Sequence, residues 1–320
     1  MNGYKSQPWN MSIGEFFRNA VNENSTGVFI EISGKKITYQ ECFDRSLQTA
    51  AMFREFGITK GDRVALFLPN CPEFLYCWFG LSMIGAISVP INTAYKKDET
   101  FYILDNSDAS AFVAHQTLLS VAVPAGQMSK NLKAQLYVLD GNVGGLETTT
   151  NMKDWKEFYE CWDSQPSEDL DNTVLPDDIS MLVYTSGTTG NPKGVQVTHL
   201  MYVAAGQGFA YWTHATSRDR FFTCLPYFHA NAQYYSTMGT MAAGATLIVE
   251  SRFSASRFWS QVKESRATVV NFIGMMMPVL SKQPSSHDDR ENEVRLFYGS
   301  PAFSKEFLEE FQERFGTQII

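Results

Sequence analysis

The chain has 320 residues, 44% of them hydrophobic, which is enough apolar material for one large lobed domain or two smaller ones. Its formal charge of -8 and the lack of any Lys or Arg run argue against a nucleic-acid-coating surface, so a phosphate bound here would sit on a small molecule. Cys42, Cys71, Cys77, Cys161 and Cys224 are scattered without a C-x-x-C pair, a pattern of reduced thiols in a cytoplasmic protein and not of a disulfide frame or zinc site.

The opening MNGYKSQPWNMS has no apolar core of a signal peptide, and none is expected. TGVFIEI reads as a strand and Gly34 as a turn. Thr38 and Glu41 then form a capping-box pattern for a helix running through Phe53 to Gly57, and VALFL (64–68) follows as a strand. The run FLYCWFGLSMIGAISVPI (74–91) nearly reaches the length that spans a bilayer. It divides better into a helix capped by Asn70, with Glu73 three residues on and a stop near Gly85, followed by the buried strand AISV before Pro90. Parallel sheets bury strands on both faces, so such apolarity is ordinary there and no transmembrane segment is expected. Asp98 is placed to cap the helix ETFYILDNS, and SAFVAH (110–115) is the next strand.

The polar, acidic, proline-bearing stretch DSQPSEDLDNTVLPDD (163–178) is the best linker. It suggests a first α/β subdomain over 1–175 and a second over 176–320. ISMLVY opens the second, with a helix from about His199, the strand ATLIVE (245–250), a helix near 256–264 and the strand ATVVNFI (267–273). The last helix, SKEFLEEFQERF, is capped by Ser304 and aligns Phe307, Leu308, Phe311 and Phe315 before Gly316; TQII begins another strand. This alternation predicts two βαβ-type subdomains with mainly parallel sheets.

Between ISMLVY and the helix at His199 lies YTSGTTGNPKGV (184–195). Three glycines and several hydroxyl residues after a strand let successive backbone N–H groups converge on an anion, and Lys193 adds charge. The P-loop pattern G-x-x-x-x-G-K-[ST] does not fit: counted from Gly187, Pro192 stands where the second glycine belongs and Gly194 where the metal-binding hydroxyl belongs.

YTSGTTGNPKGV resembles the phosphate-loop signature of the adenylate-forming superfamily of acyl-CoA synthetases, peptide-synthetase adenylation domains and luciferases. ITYQE, GDRVALFLPNCPEF, GAISVPINTAY, LPYFHANA (225–232) and FYGSPAF (297–303) agree in order and spacing, so the resemblance covers nearly the whole chain. NCPEFLYCWFGLSMIGAISVPIN, FSASRFWSQVKESRATVV and MMMPVL look most like carnitine/crotonobetaine-CoA ligases and related fatty-acid-CoA ligases. The implied fold is the large N-terminal domain of an adenylate-forming enzyme, cut before its C-terminal domain, because the Tyr-Gly-x-Thr-Glu motif and the later lysine of the family do not follow.

The implied activity is an ATP-dependent, AMP-forming carboxylic acid:CoA ligase working through an acyl-adenylate, incomplete in this chain and weakly active or inactive alone. By resemblance, Thr185, Ser186, Gly187, Thr188, Thr189, Gly190 and Lys193 hold the β- and γ-phosphates of ATP, with Lys193 and Thr185 catalytic and Thr185 beside Mg2+. His229 lies by the acid substrate. Gly299, Ser300 and Pro301 follow the adenine and acyl group, although Gly-Ser-Pro departs from the commoner Gly-Gly-Ala-Pro. The expected partners are a carboxylic acid, ATP and CoA, and a homodimer is compatible with all of this. Met275, Met276 and Met277 could line an acyl tunnel or fill core. Tyr234, Tyr235, Trp212 and Phe272 are the aromatics available to a quaternary ammonium. Two other classes stay open: a nucleotide-binding module without turnover, and an adenylation domain delivering to a carrier protein, where an aspartate is usual in place of AQYY (232–235).

Overall fold

The computed structural model describes residues 9–139, 152–162, 173–185 and 191–320. In chain order the elements are α1 (Ile13–Asn24), β1 (Val28–Ile32), β2 (Lys35–Thr38), α2 (Tyr39–Glu55), β3 (Arg63–Phe67), α3 (Pro72–Met83), β4 (Ile87–Pro90), α4 (Lys97–Asn106), β5 (Ala111–His115), α5 (Leu119–Met128), β6 (Ala134–Val138) and β7 (Trp155–Glu157). There follow β8 (Ile179–Thr185), β9 (Lys193–Thr198), α6 (His199–Trp212), β10 (Arg220–Thr223), a π-helical turn (Ala232–Thr237) leading into α7 (Met238–Ala243), and β11 (Thr246–Val249). The chain closes with α8 (Phe258–Glu264), β12 (Val269–Ile273), α9 (Met276–Ser281), β13 (Leu296–Ser300), α10 (Lys305–Phe315) and β14 (Gln318–Ile319). Among the described residues the predicted α/β alternation is therefore present, in two seven-stranded sheets.

The chain forms two compact units, one of residues 1–21 and 40–204, the other of 22–39 and 205–320. This division differs from one at 175. β8 pairs in parallel with β4, which returns the residues after the acidic stretch to the first sheet, while β1 pairs in parallel with β11 and so joins the second. Lys60 reinforces the first closure: its Nζ lies 2.6 Å from a carboxylate oxygen of Asp178, the last residue of the expected linker.

In the first unit the order is β7-β6-β5-β3-β4-β8-β9, parallel except for the β8–β9 hairpin. The bilayer-length run resolves into α3 and β4. Every residue of α3 from Glu73 to Met83 is buried, and Trp78 packs against Tyr202 with ring centroids 4.9 Å apart. Gly80 permits this closeness, since a Cβ there would stand 2.6 Å from the Ser46 carbonyl of α2. The helix begins one residue later than Asn70 could cap: Cys71 occupies that position without a side-chain cap bond, and Pro72 supplies a preset first turn. At α4, likewise, Asp98 falls inside the first turn, and Glu99 reaches back to the Lys96 N–H at 2.9 Å. Among the described residues no helix is long and apolar enough to cross a membrane.

In the second unit the order is β14-β13-β12-β10-β11-β1-β2, parallel except for β1–β2. Asn271 of β12 stands opposite Tyr298 of β13, so these two point to one face of the sheet while Phe272 and Phe297 point to the other. The second face packs on α8 and α10. Phe272 and Phe297 stack at 5.1 Å, and Trp259 stacks on Phe315 at 4.5 Å. Ser304 caps α10 as expected, accepting the Phe307 N–H at 3.3 Å, and Gly316 closes it with φ 70°. Across the N-terminal ends of the strands, Asp219 accepts two guanidinium bonds from Arg295, at 2.8 and 2.9 Å.

Candidate active site

In the first unit the strand β8 ends at Thr185 and β9 begins at Lys193, and the two are cross-strand partners in the antiparallel register. Both side chains are exposed. The loop glycines and hydroxyls sit between them in sequence; Ser186, Gly187, Thr188, Thr189 and Gly190 lie outside the described residues. A hairpin mouth is thus the local frame, in contrast to the strand-to-helix turn of a P-loop, in keeping with the failed P-loop spacing.

The hairpin stems are tied to α4. Tyr184 donates its hydroxyl to Asn106 Oδ1 at 2.7 Å, and Tyr102 donates to the Pro192 carbonyl at 3.1 Å. Burial lifts the Tyr184 phenol to about 12, with the neighbouring Tyr102 phenol adding to the shift, so Tyr184 stays a neutral donor. Gly194 faces the Tyr184 ring, and a Cβ there would stand 3.2 Å from it. Just beyond β9, His199 starts α6 as expected but is fully buried, with Nδ1 accepting the Ile13 N–H at 3.2 Å.

The second unit presents its expected site residues at the C-terminal ends of parallel strands, where open α/β sheets bind ligands. His229 stands in the turn after β10, its N–H bonded to the Pro226 carbonyl at 3.0 Å and its ring 4.5 Å from that of Phe228. Its outer edge is exposed, and partial burial of the ring lowers its pKa and favours the neutral imidazole. Gly299, Ser300 and Pro301 end β13. Gly299 is dictated by contact, since a Cβ there would stand 2.0 Å from the Phe272 carbonyl oxygen. The Ser300 carbonyl accepts the Gly274 N–H at 2.8 Å, the Ser300–Pro301 peptide is cis, and Pro301 is exposed.

Between these two points lies a polar cluster that pattern reading passed over. Asn271, fully buried in β12, donates to Ser236 Oγ at 2.8 Å and to Asn231 Oδ1 at 3.1 Å, and Ser236 Oγ is 2.8 Å from the Tyr298 hydroxyl. Asn271 Oδ1 has no hydrogen-bond partner among the described residues. The π-helical turn presents Ser236 to this cluster, and Phe209 and Tyr235 wall it at 4.6 and 6.4 Å from the Tyr298 ring. A single Asn inside the apolar run ATVVNFI was the available signal.

The other aromatics and methionines separate. Phe272, Met276 and Met277 are buried core, while Trp212 is 77% and Met275 67% exposed. All five cysteines are free, and Cys42, Cys71, Cys77 and Cys224 are buried. Among the described residues no group of three or more His, Cys, Asp or Glu side chains could hold a metal ion.

Residues 16–320 match the sequence profile of the family described as AMP-binding enzyme. The chain is 34% identical over 305 residues to the crotonobetaine/carnitine--CoA ligase of Escherichia coli strain SE11, an alignment covering 93% of this chain and 57% of that protein. The chain thus spans somewhat over half the length of the curated relatives it matches. Among solved structures it is similar to the inhibitor-bound N-terminal domain of FACL13 from Mycobacterium tuberculosis, with TM-score 0.80 and 24% identity over 97% of this chain and 74% of that one. It is also similar to the anthranilate CoA ligase AuaEII in complex with anthranoyl-AMP, with TM-score 0.86 and 20% identity over 98% of this chain and 59% of that one. At these identities the structural likeness speaks for the fold.

Proposed function

Because this chain belongs to the AMP-binding enzyme family, we propose that it carries the ATP and acid sites of a cytoplasmic carboxylic acid:CoA ligase that works through an acyl-adenylate. The observation that carries the reading is the pairing of Thr185 with Lys193 at the mouth of the β8–β9 hairpin, on either side of a Gly, Ser and Thr loop. A carboxylate oxygen attacks the α-phosphorus of ATP and pyrophosphate leaves; the CoA thiolate then attacks the acyl carbon and AMP leaves. The first step gathers negative charge, so its demand is for a cation and N–H donors fixed in advance.

In this reading Lys193 neutralises charge on the departing pyrophosphate, and Thr185, Ser186, Gly187, Thr188, Thr189 and Gly190 hold the β- and γ-phosphates. The donor set fits a magnesium-bearing triphosphate: an exposed hydroxyl and an exposed ammonium face each other, and the metal would travel on the phosphates with Thr185 beside it. Bound Mg2+ would offset phosphate charge. Gly299, Ser300 and Pro301 would lie along the adenine, and His229, favoured as a neutral imidazole by partial burial, would stand by the acid. The acid is proposed to come from the carnitine-like or fatty acids, on the strength of the relatives named above.

Carboxylate-dependent ATP/pyrophosphate exchange tests the reading. With carnitine, crotonobetaine, short and long fatty acids and aryl acids in parallel, exchange with any one of them supports an acid-activating site and names its class. Run also on the complete gene product, exchange by that protein alone would equally support the reading, whereas ATP binding without exchange from either, for every acid, would favour a nucleotide-binding module instead.

A further inference from the structure

We propose that Tyr102 and Asn106 of α4 are positioning residues for the ATP step, a pair that sets the spacing and direction of Thr185 and Lys193 by holding the two stems of the hairpin. The inference rests on the reading of the hairpin as the triphosphate site. Tyr102 and Asn106 are four residues apart and therefore share one helix face. From that face Asn106 Oδ1 receives the Tyr184 hydroxyl at 2.7 Å, one residue before Thr185. Tyr102 gives its hydroxyl to the Pro192 carbonyl at 3.1 Å, one residue before Lys193. Each stem is thus bonded immediately beside the side chain that the ATP step would use.

The helix that does the holding is itself fixed. Ile103 and Leu104, between the two anchors, are each 1% exposed within the core of the first unit, and Tyr95, Tyr102 and Tyr184 pack on that same core. Gly194 completes the arrangement: the absent side chain lets the Tyr184 ring lie across the hairpin, where a Cβ would crowd it at 3.2 Å. A hairpin mouth with exposed residues at both stems would otherwise sample many geometries, and a phosphate site gains from donors already aimed. Neither Tyr102 nor Asn106 needs to touch the nucleotide for this.

The test is equilibrium binding of ATP and, separately, of AMP by Tyr102→Phe, Asn106→Ala and the double variant. Loss of either bond is expected to weaken ATP by about three- to tenfold, with AMP, which lacks the β- and γ-phosphates, changed less than about twofold. A merely structural role would weaken both nucleotides together or lower the melting temperature without altering their ratio. Unchanged ATP binding, or equal losses for ATP and AMP, overturns the positioning role while leaving the site in place. An unaltered chain that binds AMP but gains nothing from the added phosphates overturns the reading of the hairpin itself.

Discussion

The imidazole Nδ1 of His199, first residue of α6, accepts the backbone N–H of Ile13, first residue of α1, at 3.2 Å across 186 positions of sequence. An acceptor at Nδ1 requires the proton on Nε2, so the buried ring is neutral. Burial lowers its pKa to about 4, Asp178 opposes that shift and Lys60 adds to it. A group whose native pKa is depressed in this way is protonated first in the unfolded chain. Its contribution to stability is therefore complete above pH ~6.5 and is lost as the pH falls from there towards 4, by roughly 3 kcal/mol in all. Urea midpoints measured from pH 8 to 4.5 should fall over this window in the natural chain and less so in His199→Gln; parallel curves would show that another group governs the acid limb.

Lys193→Ala removes an exposed cation at the start of β9 and leaves the ladder intact. Exchange of pyrophosphate into ATP should drop by about 100-fold or more, the scale of losing one preorganised charge-stabilising donor. Thermal stability should move by less than about 0.5 kcal/mol, as for an ordinary surface substitution. Normal exchange in a folded variant would remove Lys193 from the site.

Two glycines should respond oppositely to alanine. At Gly299 the new Cβ would meet the Phe272 carbonyl at 2.0 Å, a backbone clash that β12 and β13 can relieve only by parting. Roughly 2–4 kcal/mol of destabilisation is expected, together with weaker nucleotide binding if the adenine turn is displaced. Gly208, inside α6, has nothing within 4 Å of the added atom, and Gly208→Ala should stabilise by about 1 kcal/mol. Chemical denaturation of both variants measures the contrast; equal midpoints would mean that the two strands move apart freely.

Replacing Asn271 by Leu deletes the amide that bridges Asn231 and Ser236 inside the second unit. The cost should be about 1–3 kcal/mol, because buried Ser236 Oγ and partly buried Asn231 Oδ1 both lose their Asn271 donor. Ser236→Ala removes one of those acceptors, so the double variant should lose at least about 0.5 kcal/mol less than the two single losses added together. Strict additivity in denaturation curves would show that the two side chains are energetically independent.

Local features were legible without coordinates. Ser304 as a cap, Gly316 as a left-handed terminator, the division of the bilayer-length run and the α/β alternation all follow from short-range sterics and hydrogen bonding, which neighbouring residues settle among themselves. Where two residues could serve equally, the neighbouring one took the role: Asn70 and Asp98 are good caps, yet α3 starts at Pro72, whose ring presets the first turn, and α4 at Lys97, where Glu99 bonds back to the Lys96 N–H. The site divided in the same way. The order of glycine, hydroxyl and lysine in YTSGTTGNPKGV announced anion binding, whereas the bonds from Tyr102 and Asn106 to the hairpin stems join residues 90 and 78 positions apart and leave no periodic trace.

By itself, then, the sequence determined the residue classes at the hairpin mouth, the helix and strand rhythm, and the family to which the chain belongs. Tertiary structure alone decided that β1 and β2 join the second sheet, that β8 and β9 complete the first, and that Asn271, Ser236 and Tyr298 meet in one buried cluster. The physical reason is range. Caps, turns and amphipathic faces are satisfied within a few residues, while strand partners and buried polar groups find each other only when the whole chain has closed around them.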